Sequence, residues 1–192
     1  SSVSIHMPKI NSYICSTNVL FCGIVPRMTL ARVRSGALRG IDGIPIDVEV
    51  DIGSGLPMFR IVGLPDKAVQ EASERVRSAI RNAGFEFPLR RITVNLAPAD
   101  VRKEGPIYDL PIAIAILVAS GQVDDHYRDV AIMGERSLEG MTRHVSGVLP
   151  FVAMCADEGI REVVVPSDDL GEARMVSGVR AFGLESLTQT RE

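Results

Sequence analysis

Residues 103–113 read KEGPIYDLPIA and open a segment, Leu110–Ser120, that is apolar nearly all round. A helix with apolar residues on every side is buried over most of its surface. The two prolines suit a helix entry, where a missing N–H costs little, and Asp109 complements the free N–H groups of a first turn. The stretch therefore predicts the start of a central, buried helix.

Loops at helix starts often carry a nucleophile or an anion site. Residues 105–109 contain no serine, threonine or cysteine. A nucleophilic role needs one of these side chains. The loop is therefore predicted to start a helix and to carry no nucleophile.

The chain on either side of this loop predicts an α+β fold. Ile44–Ile52 alternates apolar and acidic residues, which is typical of a half-buried antiparallel strand. Asp66–Ala83 has one apolar stripe and is predicted to be a helix, with Asp66 as its N-cap and Gly84 at its C-terminal cap. Strands and helices alternate afterwards. This order predicts one mixed sheet with helices mainly on one face.

The composition is that of a globular protein. Of the 192 residues, 46% are apolar and 23% are charged, and the net charge is −3. This charge gives no general affinity for polyanions, and only 5% aromatic residues leave few rings for stacking on bases. The sequence contains no apolar run of eighteen residues, so we expect no membrane partner. Three cysteines do not form a disulfide framework in a chain of this length, which predicts a cytoplasmic location.

Several common site motifs are missing from the sequence. There is no P-loop, no G-x-G-x-x-G after a strand, no H-E-x-x-H and no G-x-S-x-G. The histidines and cysteines match no zinc-site spacing, and Cys155 is predicted to be a small core residue. The residues concerned are His6, His126, His144, Cys15, Cys22 and Cys155.

Two groups of carboxylates are candidate sites. Asp47, Glu49 and Asp51 share one face of the predicted strand and could bind a hard cation, but such a site also needs ligands from elsewhere. Glu135 and Glu139 flank the turn GERSLEG and could act as a pair, although turn carboxylates usually face water. We interpret both groups as solvated acidic surfaces.

A basic segment is the candidate for contact with nucleic acid. Between positions 75 and 103 the chain carries seven cations and only two acidic residues, Glu86 and Asp100. Such a local excess can contact phosphates. Solvated charges on a helix face and in loops are the alternative, because no aromatic residues are interleaved as stacking platforms. The seven cations are Arg75, Arg77, Arg81, Arg90, Arg91, Arg102 and Lys103.

Two long segments carry a family resemblance. Residues 63–117 read GLPDKAVQEASERVRSAIRNAGFEFPLRRITVNLAPADVRKEGPIYDLPIAIAIL, and residues 134–166 read GERSLEGMTRHVSGVLPFVAMCADEGIREVVVP. These segments resemble the N-terminal domain of the ComM/YifB family, which are magnesium-chelatase-like AAA+ ATPases tied to competence and DNA transformation. The resemblance covers roughly residues 28–190. It implies a domain similar to the proteolytic domain of Lon, with the ribosomal protein S5 domain 2-like fold.

The resemblance also implies where the chemistry of Lon would lie. In Lon a serine follows Gly-Pro at the start of a buried helix, and a lysine on the next helix takes its proton. By motif, the serine slot of this chain is Ile107 and the lysine slot is Leu149. Neither side chain can attack a carbonyl or accept a proton. The resemblance therefore implies a non-catalytic domain.

Two other functions stay open. An active serine-type peptidase would need an unrecognised nucleophile among Ser120, Ser137 and Ser146, with Lys67 or Lys103 as its base. A direct DNA-binding module would use the basic segment described above.

The resemblance further sets expectations for a longer protein. It implies ATP and Mg²⁺ in an AAA+ module that is expected after residue 192. That module would be the partner of this domain and would form a homo-hexamer. No cofactor is expected within residues 1–192, and the fragment alone is not expected to be an enzyme. Residues 1–27 match nothing in the family and are expected to be a poorly ordered extension or tag, which leaves 28–192 as the domain.

Overall fold

A computed structural model describes residues 30–191 of the chain. The expectations for residues 1–27, which include His6, Cys15 and Cys22, lie outside the described residues. The strands are β1 (Leu30–Arg39), β2 (Asp42–Gly53), β3 (Met58–Val62), β4 (Arg91–Ala97), β5 (Ala131–Ile132), β6 (Glu135–Arg136), β7 (Thr142–Arg143), β8 (Glu162–Pro166) and β9 (Arg180–Leu184). The helices are α1 (Lys67–Gln70), α2 (Ala72–Asn82), α3 (Asp109–Ala119), α4 (Val148–Asp157) and α5 (Leu170–Ala173).

Seven of these strands form one sheet in the order β3-β4-β2-β1-β5-β8-β9. Strands β1 and β2, and β2 and β4, are antiparallel, and the other neighbouring pairs are parallel. Strands β6 and β7 form a separate hairpin. The prediction of an α+β fold with a mixed sheet is confirmed.

Strand β2 shows the alternation that its sequence predicts. Ile46, Val48, Val50 and Ile52 are buried, with at most 2% of their surface exposed. Their side chains join the larger of two apolar clusters. The acidic residues between them lie on the opposite face, because successive side chains of a strand alternate.

The predicted helix over Asp66–Ala83 forms as two pieces, α1 and α2, that meet at Glu71. Asp66 caps α1 as predicted, since its carboxylate accepts the Val69 N–H at 2.8 Å. Gly84 follows the end of α2 with φ 76°, the left-handed conformation expected of a C-terminal cap. The interruption is small, because Glu71 keeps a right-handed helical conformation.

Helices cover both faces of the sheet, which corrects the prediction that they lie mainly on one face. All eleven residues of α3 are buried, and this helix belongs to the larger cluster with α1, α2 and β2. Helix α4 packs into a second cluster with Val163 and Val165 of β8, whereas Val164 joins the first. A strand with three buried valines in a row is covered on both faces, and this apolar run is the sequence signal for the second helix layer.

Helix α4 lies close against the β1–β2 hairpin because two hairpin residues lack a side chain. A Cβ atom added at Gly36 would lie 2.8 Å from Phe151 Cδ2. One added at Gly43 would lie 2.5 Å from Met154 Cβ and 2.9 Å from the backbone oxygen of Pro150. The two glycines therefore set the distance between the hairpin and the second helix layer.

We predict that Gly43→Ala lowers the free energy of unfolding by about 1–3 kcal/mol, the usual cost of overpacking, because the helix backbone beside it must move. Gly171→Ala is the matched control, since a Cβ at Gly171 in α5 would have no atom within 4 Å. That control should leave stability unchanged or slightly raised. Urea denaturation followed by circular dichroism measures both. Equal stability of the two variants would contradict the packing described here.

Candidate functional site

The loop that precedes α3 is fixed in place by Asp66. One oxygen of this carboxylate caps α1, and the other accepts the Gly105 N–H at 3.1 Å. Gly105 has φ 78°, a conformation that glycine adopts without a steric penalty. Residues 106–108 then form a 3₁₀ turn that leads directly into α3. The loop is thus a rigid helix entry.

Asp109, the first residue of α3, is fully buried and binds the guanidinium of Arg75 through two hydrogen bonds. Arg75 Nε lies 2.6 Å from Oδ2, and Nη2 lies 2.9 Å from Oδ1. The backbone N–H of Arg136 also donates to Oδ2, at 3.3 Å. Burial raises the pKa of the Asp109 carboxyl to about 6, and the hydrogen bonds from Arg75 act in the opposite direction. Asp109 therefore connects α2, α3 and β6.

Arg136 places a second cation in the interior. Its side chain is fully buried, and Nη2 donates to the carbonyl oxygen of Gly140. Its Nε and Nη1 atoms have no hydrogen-bond partner among residues 30–191. Burial lowers the pKa of Arg136 to about 10, and the negative charge of Asp109 acts against this shift. The turn GERSLEG gave no sequence signal that its arginine would be buried.

A cavity of about 420 Å³ opens beside the loop. The end of β1 forms one wall with Ala37 and Leu38, and the loop forms another with Ile107 and Tyr108. The remaining lining residues are Arg102, Glu104, Pro106, Glu135, His144, Val145 and Ser146. The cavity is therefore built from the loop that carries the family resemblance and from the segment that precedes α4.

The charged groups of this cavity already have partners within the protein. Arg102 Nε lies 3.0 Å from Glu104 Oε1, and Glu135 Oε1 lies 3.7 Å from an Arg143 nitrogen. The third group, His144, pairs with a carboxylate as described next. The cavity consequently offers a ligand little unpaired charge.

Asp169 is the partner of His144 and is almost completely buried. One of its oxygens hydrogen-bonds to Nδ1 of His144, and the other accepts the Val145 N–H at 3.0 Å. This hydrogen bond raises the pKa of His144. Sequence reasoning found no partner for His144, because the two residues are 25 positions apart and share no motif.

Two residues of the cavity lining, Tyr108 and Ser146, carry hydroxyl groups that have no hydrogen-bond partner among residues 30–191. Tyr108 is 1% exposed, and its hydroxyl makes no hydrogen bond to any other residue that the structure describes. Burial raises the pKa of this phenol, which keeps it protonated as a donor. The exposed Ser146 hydroxyl likewise has no partner among these residues. Buried hydroxyl groups usually have partners, so the Tyr108 hydroxyl is an uncompensated polar group in the interior.

The two positions that correspond to the serine and the lysine of Lon hold side chains without a reactive group. Ile107 is partly buried and packs against both apolar clusters. Leu149 lies near the start of α4 with 39% of its surface exposed, and its backbone N–H donates to Glu172 Oε1 at 2.8 Å. Only Ile107 lines the cavity. Leu149 lies outside that lining.

The residues of the alternative peptidase are not brought together. Ser120 donates to the carbonyl of Leu117 at 3.1 Å, and the Ser137 hydroxyl accepts the Met141 N–H at 3.2 Å. Ser146 alone of the three candidate serines lines the cavity. The two candidate bases, Lys67 and Lys103, lie outside its lining.

The two candidate lysines differ in their burial and in their partners. Lys103 is fully buried, and its ammonium donates to the carbonyl of Pro98, while burial lowers its pKa. Lys67 has a side chain that is 91% exposed and lies 3.9 Å from Glu71. Neither lysine can accept a proton from Ser146 in this arrangement.

The seven cations of the basic segment divide into internal and surface groups. Lys103 is buried and Arg75 binds Asp109, so these two do not face solvent as free charges. The guanidinium groups of Arg77 and Arg81 lie over the ring of Phe87, at 5.1 and 6.0 Å from its centre. Arg102 pairs with Glu104 on the surface. The remaining two, Arg90 and Arg91, stand at the start of β4.

The acidic candidates are engaged with neighbouring residues. Asp47 forms an ion pair with Arg32 at 2.6 Å, and Glu49 accepts a hydrogen bond from Asn95 at 2.8 Å. Within residues 30–191, no group of three or more acidic, histidine or cysteine side chains is arranged to hold a metal ion. Cys155 is fully buried, and burial raises its pKa to about 12, which fits the predicted core role.

Comparisons of the sequence with known proteins show the family to which this chain is similar. The profile of the ChlI family, subunit ChlI of Mg-chelatase, matches residues 48–169. Competence protein ComM of Haemophilus influenzae is 44% identical over 161 residues, which is 83% of this chain and 31% of that protein. Protein YifB of Escherichia coli is 45% identical over 152 residues, or 79% of this chain and 30% of YifB. The chain thus spans about a third of the length of these relatives.

A more distant similarity connects the chain with proteases. Lon protease 2 of Bacillus subtilis is 25% identical over 157 residues, which is 77% of this chain and 28% of the protease.

In the part of the chain that the structure describes, none of the helices is long and apolar enough to cross a membrane.

We predict that Asp109→Ala lowers the free energy of unfolding by about 3–5 kcal/mol, because it leaves Arg75 and the buried Arg136 without their common anion. Asp47→Ala is the matched control, since it removes a carboxylate from a surface pair with Arg32 that is worth about 0–1 kcal/mol. Urea denaturation at neutral pH measures both. A cost below about 1 kcal/mol for Asp109→Ala would contradict the role assigned to this carboxylate.

Proposed function

The chain belongs to the family of the magnesium-chelatase subunit ChlI, as a member of the ComM/YifB group, and we propose that it is a non-catalytic, Lon-like domain of a longer ATPase. Such a domain would contribute assembly or substrate contact to a motor that acts on DNA during transformation or recombination. The fold we infer for it is the ribosomal protein S5 domain 2-like fold, and the similarity to Lon protease supports this inference.

One observation carries the proposal: the cavity beside the loop contains Ile107 where the Lon pattern has its serine, and no lysine lines it. A serine hydroxyl is a poor nucleophile until a neighbouring base takes its proton. Leucine occupies the slot of that base. Ser146 is the one serine of the cavity, and its hydroxyl makes no hydrogen bond to His144. Hydrogen bonds thus fix the backbone of the loop, but its side chains cannot carry out acyl transfer.

The residues that the structure describes do not fit MgATP. They hold no cluster of carboxylates for a cation, and the two basic side chains of the cavity, Arg102 and His144, are each paired with a carboxylate. We therefore assign ATP and Mg²⁺ to a separate AAA+ module of the longer protein. The same module would form a homo-hexamer, and the whole protein would work in the cytoplasm.

We predict that the purified chain hydrolyses neither casein nor ATP, because it has no activated nucleophile and no P-loop. Release of fluorescent peptides from labelled casein and release of phosphate from ATP measure the two activities. Casein turnover that is abolished by Ser146→Ala and retained in Ser54→Ala would contradict the proposal. Ser54 is the control because it is an exposed serine in the turn between β2 and β3.

Direct contact with DNA is a second candidate function. A set of arginines near the buried ring of Phe87 favours this function. The guanidinium groups of Arg77 and Arg81 lie over the ring. Arg90 and Arg91 follow this ring by three and four residues. Such a cluster could neutralise several phosphates.

We predict that replacing Arg90 and Arg91 together by glutamate weakens binding of forked DNA at least about tenfold at low salt. The slope of log affinity against log salt should also fall by about two, since each phosphate contact contributes nearly one. Arg161→Glu with Arg174→Glu is the matched control, because both arginines are exposed and lie outside the basic segment. Fluorescence anisotropy over a salt series measures the binding. Unchanged affinity after reversal of Arg90 and Arg91 would count against DNA contact through this surface.

A further inference from the structure

We propose that the β6–β7 hairpin, residues 135–143, is a flap that opens while the rest of the domain stays folded. This inference goes beyond the proposed function, because it concerns the motion of one wall of the cavity and does not depend on a nucleophile. It follows from a buried cation that the flap carries and from the few contacts that hold the flap on the domain.

The buried cation of the flap is Arg136. Its side chain is fully buried, and among residues 30–191 its guanidinium makes one hydrogen bond, to the carbonyl of Gly140 in the flap itself. The Nε and Nη1 atoms have no partner among these residues. A buried charge with unmade hydrogen bonds is costly, because it has lost its hydration without compensation. The closed position of the flap is therefore destabilised by its own arginine.

The carboxylate whose charge acts on Arg136 is already paired with another cation. Asp109 accepts two hydrogen bonds from the Arg75 guanidinium, at 2.6 and 2.9 Å. From Arg136 it accepts only the backbone N–H, at the longer distance of 3.3 Å. Opening of the flap breaks this longer bond and leaves the pair of Asp109 with Arg75 in place. The move thus takes an incompletely paired charge into water and keeps the central ion pair.

The flap contributes little to the apolar core. No residue of the flap belongs to either of the two apolar clusters that the described residues form. Its two large apolar side chains, Leu138 and Met141, are 58% and 47% exposed. The pairing of β6 with β7 comprises two residue pairs, and a two-stranded hairpin is marginally stable by itself. Segments with few buried apolar contacts open at a lower free energy than the core.

Two fixed points define the ends of the flap. On one side, the Gly134 N–H donates to the carbonyl of Ile107 at 2.9 Å, which ties this residue to the loop before α3. On the other side, His144 and Val145 are both hydrogen-bonded to the buried carboxylate of Asp169. The flap can therefore move between two anchors that stay with the folded domain.

The remaining bonds between the flap and the domain are polar. The Leu138 carbonyl accepts a hydrogen bond from the side chain of Asn82. The Thr142 N–H donates to the carbonyl of Glu185 at 2.8 Å, and its hydroxyl donates to the carbonyl of Leu184. Each of these bonds is exchanged for a bond to water when the flap opens, so its net contribution is small. Hydration of the buried cation offsets part of their loss.

Opening of the flap changes the cavity beside the loop. Glu135, the first residue of the flap, lines this cavity, whereas the other lining residues lie in the loop, in β1 and in the segment after the flap. The Glu135 carboxylate lies 3.7 Å from a nitrogen of Arg143 at the other end of the flap, so this pair moves as a unit. The flap is thus a conformational device that gives the cavity one movable wall.

Hydrogen exchange of the ¹⁵N-labelled chain, measured by NMR over a urea series below the unfolding transition, tests the proposal. The amides to follow are those of Arg136 and Thr142, because their hydrogen-bond acceptors lie outside the flap. Amides of α3 report global unfolding. We expect the two flap amides to exchange at least about 100-fold faster than those of α3, at rates that urea barely changes, since local opening exposes little surface.

Arg136→Met tests whether the buried charge drives the opening, because methionine adapts to irregular core space without a charge. We expect this substitution to slow exchange of the flap amides at least about tenfold, since the closed flap no longer buries a cation. Arg143→Met is the matched control, because it removes from the same hairpin an arginine whose side chain is 64% exposed. The control should leave the rates within about twofold of those of the unaltered chain.

Two results would overturn the proposal. One is exchange of the flap amides only through global unfolding, with the urea dependence of the α3 amides. The other is exchange in Arg136→Met that is no slower than in Arg143→Met. The first result needs no substitution, so it stands even if a variant does not fold. Neither result bears on the proposed function, which the casein and ATP assays test separately.

Discussion

The buried carboxylate of Asp109 is the constraint on which the centre of this domain depends. It lies at the start of a helix that is buried along its whole length, and it binds Arg75 from α2 and the backbone of Arg136 from β6. Charges in such a place must be paired and hydrogen-bonded, because removing one partner leaves another buried without compensation. Three elements that are far apart in sequence are thereby fixed relative to one another. Asp66 adds a second such connection by joining α1 to Gly105.

The residues that fix the conformation of the loop differ from the residue that would react with a substrate. The residues that hold the loop are Asp66, Gly105 and Asp109, and none of them is the residue that would attack a substrate. Ile107 can therefore replace a nucleophile without a change in the backbone that presents it. The cavity beside the loop is present although the nucleophile is absent. A domain built in this way can lack hydrolytic chemistry and still keep the conformation of the loop.

Local patterns in the sequence predicted the helices and strands, but not the side-chain contacts that join them. The alternation in β2, the Asp66 cap and the apolar run of α3 follow from periodicity and capping, which depend on neighbouring residues. The pairings of Asp109 with Arg75 and of His144 with Asp169 could not be predicted, because they join positions 34 and 25 residues apart. The burial of Lys103 was likewise hidden, since a lysine in a loop usually faces solvent. The second helix layer was missed, although the three valines of β8 carried the signal for it.

The central claim is that the protease-like loop lacks an activated nucleophile. Treatment of the chain with a fluorophosphonate, followed by intact-mass and peptide mass spectrometry, tests this claim most directly, because the reagent modifies only serines that a neighbouring base has activated. The account predicts that the chain keeps its unmodified mass and that no serine carries the label. A stoichiometric adduct at Ser146 that does not form when the chain is unfolded before treatment would contradict it.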